Sequence, residues 1–67
     1  MNTQRIEWEK LSWSQIAELD RDTTTIVIPT GAIEQHGPHL TIDTDIYNAD
    51  AISRAVAQRV SNQRVLV

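Results

Sequence analysis

Thr23-Thr24-Thr25-Ile26-Val27-Ile28-Pro29 is the stretch on which the fold turns. A run of β-branched residues with no polar alternation is how a strand covered on both faces of a parallel sheet reads. Proline ends it, because it has no N–H to give to a central ladder. The expectation is a strand over 23–29. In open α/β sheets the ligand crevice lies beyond the carboxyl ends of the strands. Whatever chemistry the chain carries is therefore expected in the segment that follows.

That segment is Gly31-Ala32-Ile33-Glu34-Gln35-His36-Gly37-Pro38-His39-Leu40-Thr41-Ile42-Asp43-Thr44-Asp45, which holds both histidines and both glycines of the chain. In an extended backbone Glu34 and His36 project to the same side. Asp45 can return to them once Gly37-Pro38 has turned the chain. Two carboxylates and an imidazole without a thiolate suit Zn, Mn, Fe or Co. A polar surface turn presents the same residue types, and an aspartate at the start of a helix also satisfies the helix dipole. Spacing leaves these readings open. His39, between Pro38 and Leu40, is expected to pack into the loop, donating to a backbone carbonyl or holding an outer carboxylate, and not to be a ligand. Asp43 is expected as a helix cap or an outer partner. Gly31 and Gly37 are expected where the backbone needs positive φ or close approach.

Beyond the loop the pattern turns helical over 44–61, capped by Asp43 or Thr44. Ala49, Ile52, Val56 and Val60 fall along one face, and Asp50 and Arg54 form an i,i+4 pair outside it. Arg54, Gln58, Arg59 and Ser61 fill the solvent side. Asn62-Gln63 makes a turn, and Arg64-Val65-Leu66-Val67 starts the next strand. The fold class expected is α/β, a β-α-β opening of a layered parallel-sheet domain that is incomplete as it stands.

In the other direction Asp20-Arg21-Asp22 is a polar break. Ser12 reads as an N-cap with Gln15 completing a capping box, and Leu11 and Ile16 stand at the positions of a hydrophobic staple. The expected helix covers Trp13 to Leu19, with Trp13, Ile16 and Ala17 on one face. Trp8 and Trp13 are expected in a core or subunit interface. The opening to Lys10, with Ile6 and Trp8, reads as an irregular arm, so 1–22 is arm and short helix.

Size and charge narrow the partners. The chain has 67 residues and no cysteine, shorter than the usual domain of about 100–200 residues and without a disulfide to brace it. A core of this size rarely supplies more than about 3–5 kcal/mol. A net charge of −3 with a pI near 5.1 offers no basic footprint for nucleic acid. The start lacks the apolar run of a secretion signal and no stretch is apolar enough to span a membrane. The expected location is the cytoplasm.

The run Gly31 to Leu40, closing with Asp43-Thr44-Asp45, resembles the signature of the creatininase (creatinine amidohydrolase) family. Thr41 departs from it, standing where the pattern usually has proline. The resemblance implies a layered α/β fold, a homo-oligomer when full length, and two divalent metals per site, Zn and/or Mn, with Fe or Co possible. It implies that Glu34 and His36 each serve one metal and that Asp45 bridges them, with a further His and Glu supplied beyond this sequence. The reaction implied is hydrolysis of an amide C–N bond, in creatinine, a formamide or a peptide-like small molecule, by metal-activated water. With part of the site missing, the 67-residue chain alone is expected to be inactive. The alternative is a non-catalytic piece that docks onto a full-length relative through an unpaired strand edge and the Ile52, Val56 and Val60 face.

Overall fold

The computed structural model describes residues 5–67. It is an α/β arrangement built on two parallel strands, β1 (Thr24–Ile26) and β2 (Arg64–Leu66). Parallel strands cannot be joined by a tight turn and need a crossover. Here it is α2 (Thr44–Arg59), which packs against β2. Thr24 pairs with Arg64, Thr25 with Val65 and Ile26 with Leu66. A shorter helix, α1 (Trp13–Ala17), precedes β1. Among the described residues no helix is long and apolar enough to cross a membrane.

Each helix end has a local cause. The Ser12 hydroxyl accepts the Gln15 N–H at 3.2 Å, and the Gln15 side chain accepts the Ser12 N–H at 2.8 Å, completing the capping box. The Asp43 carboxylate caps no N–H of α2. It accepts the Thr41 hydroxyl instead, while the Thr44 hydroxyl donates to the Thr41 carbonyl at 2.7 Å. Asp45 in the first turn and Arg59 in the last complement the helix dipole. Arg59 also donates to the Ala55 carbonyl at 3.1 Å.

The core is small. Ile6, Ala57 and Val65 are buried together, with Val27, Val60 and Val67 packed around them. Ala57 is fully buried; its short side chain allows α2 to lie close against the sheet. By strand alternation Leu66 faces the opposite side from Val65. It is the one large side chain among the described residues that is completely buried. On that side an open groove of about 330 Å³ runs between Trp8, Ile16, Leu19, Arg21, Thr24 and Ile26.

The arm is more ordered than the sequence suggests. Its residues 1–4 lie outside the described residues, but Ile6 and Trp8 flank the end of β2. The Val67 N–H donates to the Ile6 carbonyl at 2.8 Å, and the Trp8 N–H donates to the Val67 carbonyl at 2.9 Å. That is a parallel bridging pattern, so β2 lies between the arm and β1. Residues 8–10 then close a 3₁₀ turn.

Several expectations are corrected. β1 covers 24–26, not 23–29, and its chain leaves the ladder before Pro29. Within the described residues Ile26 is half exposed and Ile28 is 78% exposed. The groove lies between α1, which has five residues, and the sheet. Trp13 is 83% exposed and Trp8 lines the groove, so neither is in the core of Ile6, Ala57 and Val65.

The helix expected over 44–61 ends at Arg59, and the strand expected over 64–67 ends at Leu66. The helix face is rotated as well. Ala57 is buried and Ser53, Arg54 and Val60 are half-buried, whereas Ile52 is 65% exposed and Val56 is exposed too. Arg54 bonds Asp50 at 2.9 Å, as expected, but it also reaches Glu7 at 3.1 Å. This ties the supposed solvent side of α2 to the arm.

Candidate metal centre

The site begins where the chain leaving β1 crosses the first turn of α2. A Cβ on Gly31 would lie 2.7 Å from the Ile46 nitrogen and 2.8 Å from the Asp45 carbonyl carbon. Only glycine fits there, because both obstacles are backbone. The chain then runs out to Glu34, whose N–H donates to the Ile42 carbonyl at 3.1 Å, closing a loop over 35–41. Gly37 makes the turn in the left-handed region at φ +79°, and its N–H donates to the Gln35 side-chain oxygen at 2.9 Å. The two glycines thus serve the two purposes expected of them, close approach at Gly31 and positive φ at Gly37.

This path brings Glu34, His36 and Asp45 together. One ligand atom of each lies within 4.8 Å of the others. The His36 ring is held from both sides: Nδ1 is 3.0 Å from the Glu34 carbonyl and Nε2 is 3.0 Å from Asp45 Oδ1. A carbonyl can only accept, so Nδ1 carries a proton and donates. The carboxylate also accepts, so a cation, proton or metal, belongs at Nε2. The hydrogen bond to the Glu34 carbonyl, opposed by burial and assisted by the bond to and charge of Asp45 and the charge of Glu34, holds the His36 pKa above the ordinary histidine value. His36 and Asp45 are half-buried and Glu34 is exposed, which leaves the group accessible from solvent.

The residues fit a divalent metal on their own chemistry. The backbone fixes the histidine tautomer that presents Nε2 as the ligand atom, and two carboxylates complete a mixed imidazole and oxygen donor set. His39 does not join them. Its ring is exposed and lies against Gly37, with Cε1 3.2 Å from where a Cβ on that glycine would stand. The expected bond to a carbonyl or carboxylate is not formed among the described residues, because the Gly37-Pro38 turn carries His39 outward. Asp43 serves Thr41 rather than the cluster. Sequence reasoning missed Gln35. The signal was its place two residues before Gly37, the spacing at which an amide oxygen reaches a backbone N–H to close a turn.

Comparison with known proteins agrees with the motif. The chain is 47% identical over 51 residues, 76% of its length, to a protein named mycofactocin precursor peptide peptidase from Mycobacterium ulcerans, of which it covers 20%. A protein of the same name from Mycobacterium tuberculosis is 48% identical over 44 residues, 66% of this chain and 18% of that protein. A creatinine amidohydrolase from Pseudomonas putida is 31% identical over 52 residues, 76% of this chain and 20% of that protein. The chain therefore spans about a fifth of the length of these curated relatives. No solved structure matches it. The family model for creatininase, described as creatinine amidohydrolase, matches residues 9–67, which takes in β1, the ligand loop and both ends of the crossover helix. With the signature loop, the parallel β-α-β unit and nearly the whole length inside that match, the chain belongs to the creatininase family.

Proposed function

We propose that this chain supplies three ligands, Glu34, His36 and Asp45, to the divalent metal centre of a hydrolase that cleaves amide C–N bonds. The observation that carries this reading is the convergence of the three ligand atoms within 4.8 Å around an imidazole whose Nδ1 is committed to a backbone carbonyl. A bound metal of this kind would lower the pKa of its water towards about 7 and polarise a carbonyl. The protein's part is to hold the ligands. His36 would offer Nε2 in a fixed tautomer, and the Asp45 carboxylate beside that nitrogen would offer its oxygens. The exposed Glu34 completes the near side.

A centre of two metals would need more ligands than these three. A further His and Glu from outside this sequence, as the motif implies, would close the shell. The 67 residues alone are accordingly expected to bind metal weakly and to turn nothing over. The relatives' names share one bond type, since a peptidase and a creatinine amidohydrolase both hydrolyse amides. The higher identity to the peptidases makes a peptide amide the first substrate to try.

The test is a competition titration of Zn²⁺ or Mn²⁺ against a chelating dye, on the wild-type chain and on Glu34→Gln, His36→Ala and Asp45→Asn. Each substitution is expected to weaken binding at least tenfold. Equal affinity in all four proteins would sink the reading.

A further inference from the structure

We infer that Gln35 is a positioning residue that aims His36 at the metal. The inference rests on the proposed metal site for its consequence, but its structural basis is independent. Two bonds bracket His36. On one side the Glu34 carbonyl accepts Nδ1–H at 3.0 Å, and on the other the Gln35 side-chain oxygen accepts the Gly37 N–H at 2.9 Å.

That N–H belongs to the peptide group joining His36 to Gly37, so holding it fixes the rotation of the His36 backbone about its own Cα–C bond. The Glu34 carbonyl belongs to the peptide group before Gln35. Together the two bonds pin the peptide planes on either side of the Gln35-His36 pair, and the direction of Nε2 towards Asp45 follows. Gly37 needs such an anchor. At φ +79° with no Cβ, it has wide backbone freedom, and an unanchored turn would let the ring swing.

The residue type suits the task. An amide oxygen is a strong acceptor without charge, so it can stand beside Glu34 and Asp45 without competing for the cation. A carboxylate in its place would add a fourth anionic group to the cluster. Asparagine keeps the same acceptor and also reaches an N–H two residues on. Leucine matches the size of glutamine and offers no acceptor. Gln35 is exposed, so its replacement leaves the core of Ile6, Ala57 and Val65 untouched.

The experiment compares the wild-type chain, Gln35→Leu and Gln35→Asn by two readouts. One is the long-range ¹H–¹⁵N spectrum of the His36 ring in the metal-free chain at about pH 8.5, where imidazoles are ordinarily neutral. The other is the competition titration with Zn²⁺. The wild type is expected to show one ring state with Nδ1 protonated. In Gln35→Leu the ring signals move towards a mixture of tautomers and Zn²⁺ affinity falls about three- to tenfold. Gln35→Asn restores both.

Unchanged ring signals in Gln35→Leu overturn the inference, whatever the affinity does: lost affinity with an undisturbed ring would mean that Gln35 touches the metal itself. Failure of Gln35→Asn to rescue overturns it as well. If the wild type binds no Zn²⁺, the metal reading fails, and the ring spectrum still decides the role of Gln35.

Discussion

Replacing Gly31 with alanine tests the closest contact in the site. The new methyl would sit 2.7 Å from the Ile46 nitrogen, 2.8 Å from the Asp45 carbonyl carbon and 3.0 Å from Asp45 Cβ. Ordinary carbon contacts begin at about 3.5–4.0 Å, so the strand-exit loop and the first turn of α2 must separate by about 1 Å. None of the three atoms is the flexible end of a side chain. The helix start is also tied down by the Thr44 bond to Thr41, and the loop by the Glu34 bond to Ile42. Overpacking of this kind destabilises by about 1–3 kcal/mol.

The larger effect is expected on the metal. Ligand distances tolerate only about 0.2 Å, and the displacement falls between the pair Glu34 and His36 on the loop and Asp45 on the helix. A misplacement near 1 Å costs on the order of 10²-fold, which is the loss of Zn²⁺ affinity expected of Gly31→Ala by competition titration. Gly37→Ala is the comparison. It strains the left-handed turn by about 1–2 kcal/mol without driving the loop and helix apart, and is expected to weaken binding less. Wild-type metal affinity together with wild-type denaturant unfolding in Gly31→Ala would show that the loop and helix are not in van der Waals contact, and the account of the site would fall.

Other outcomes follow from the same geometry. Bonds to the Glu34 carbonyl and to Asp45 raise the His36 pKa in the folded state. The metal-free chain therefore has this contribution in full below the ordinary histidine pKa of about 6.5 and loses it as pH rises through the raised value. Thermal melts in chelator over about pH 5.5–9 should show that limb in the wild type and not in His36→Ala. Metal affinity should run the other way, falling as pH drops, because protons compete for Nε2. Leu66→Ala removes the one large, completely buried side chain among the described residues and is expected to cost about 2–5 kcal/mol, enough to unfold most of the chain in a circular dichroism melt. Ser12→Ala breaks the capping box and should cost about 1 kcal/mol in denaturant, with Zn²⁺ affinity unchanged.

What the sequence disclosed was local. The Ser12-Gln15 box, the Asp50-Arg54 pair and the glycine turn at position 37 each follow from neighbours within a turn or a short loop, and each is present. The β-branched run also marked a parallel strand correctly. What it could not disclose depends on contacts far apart in the chain. Ile52 and Val56 look like a core face but are exposed, and no helical periodicity encodes the bond from Arg54 to Glu7, 47 residues away. Ile26, Ile28 and Trp13 carry the pattern of buried residues, but burial depends on what stands opposite, and the described residues, a fifth of the relatives' length, place nothing over them. In the site, the convergence of Glu34, His36 and Asp45 was foreseeable from two turns. The side-chain bond from Gln35 was hidden because apolar periodicity says nothing about exposed amides.

The placing of β2 between the arm and β1 has a consequence for how the molecule forms. Both neighbours of β2 are synthesised before it, so Ile6 and Trp8 leave the ribosome with no strand to meet until Val67 follows. At the usual rate of about 5–20 residues per second that wait is roughly 3–12 s. Sheets closed by such distant pairings also form slowly once the chain is complete. The ligand loop is under no such delay, since its bonds span ten residues or fewer. Its turns can therefore be made on the nascent chain, while the sheet is still waiting for β2.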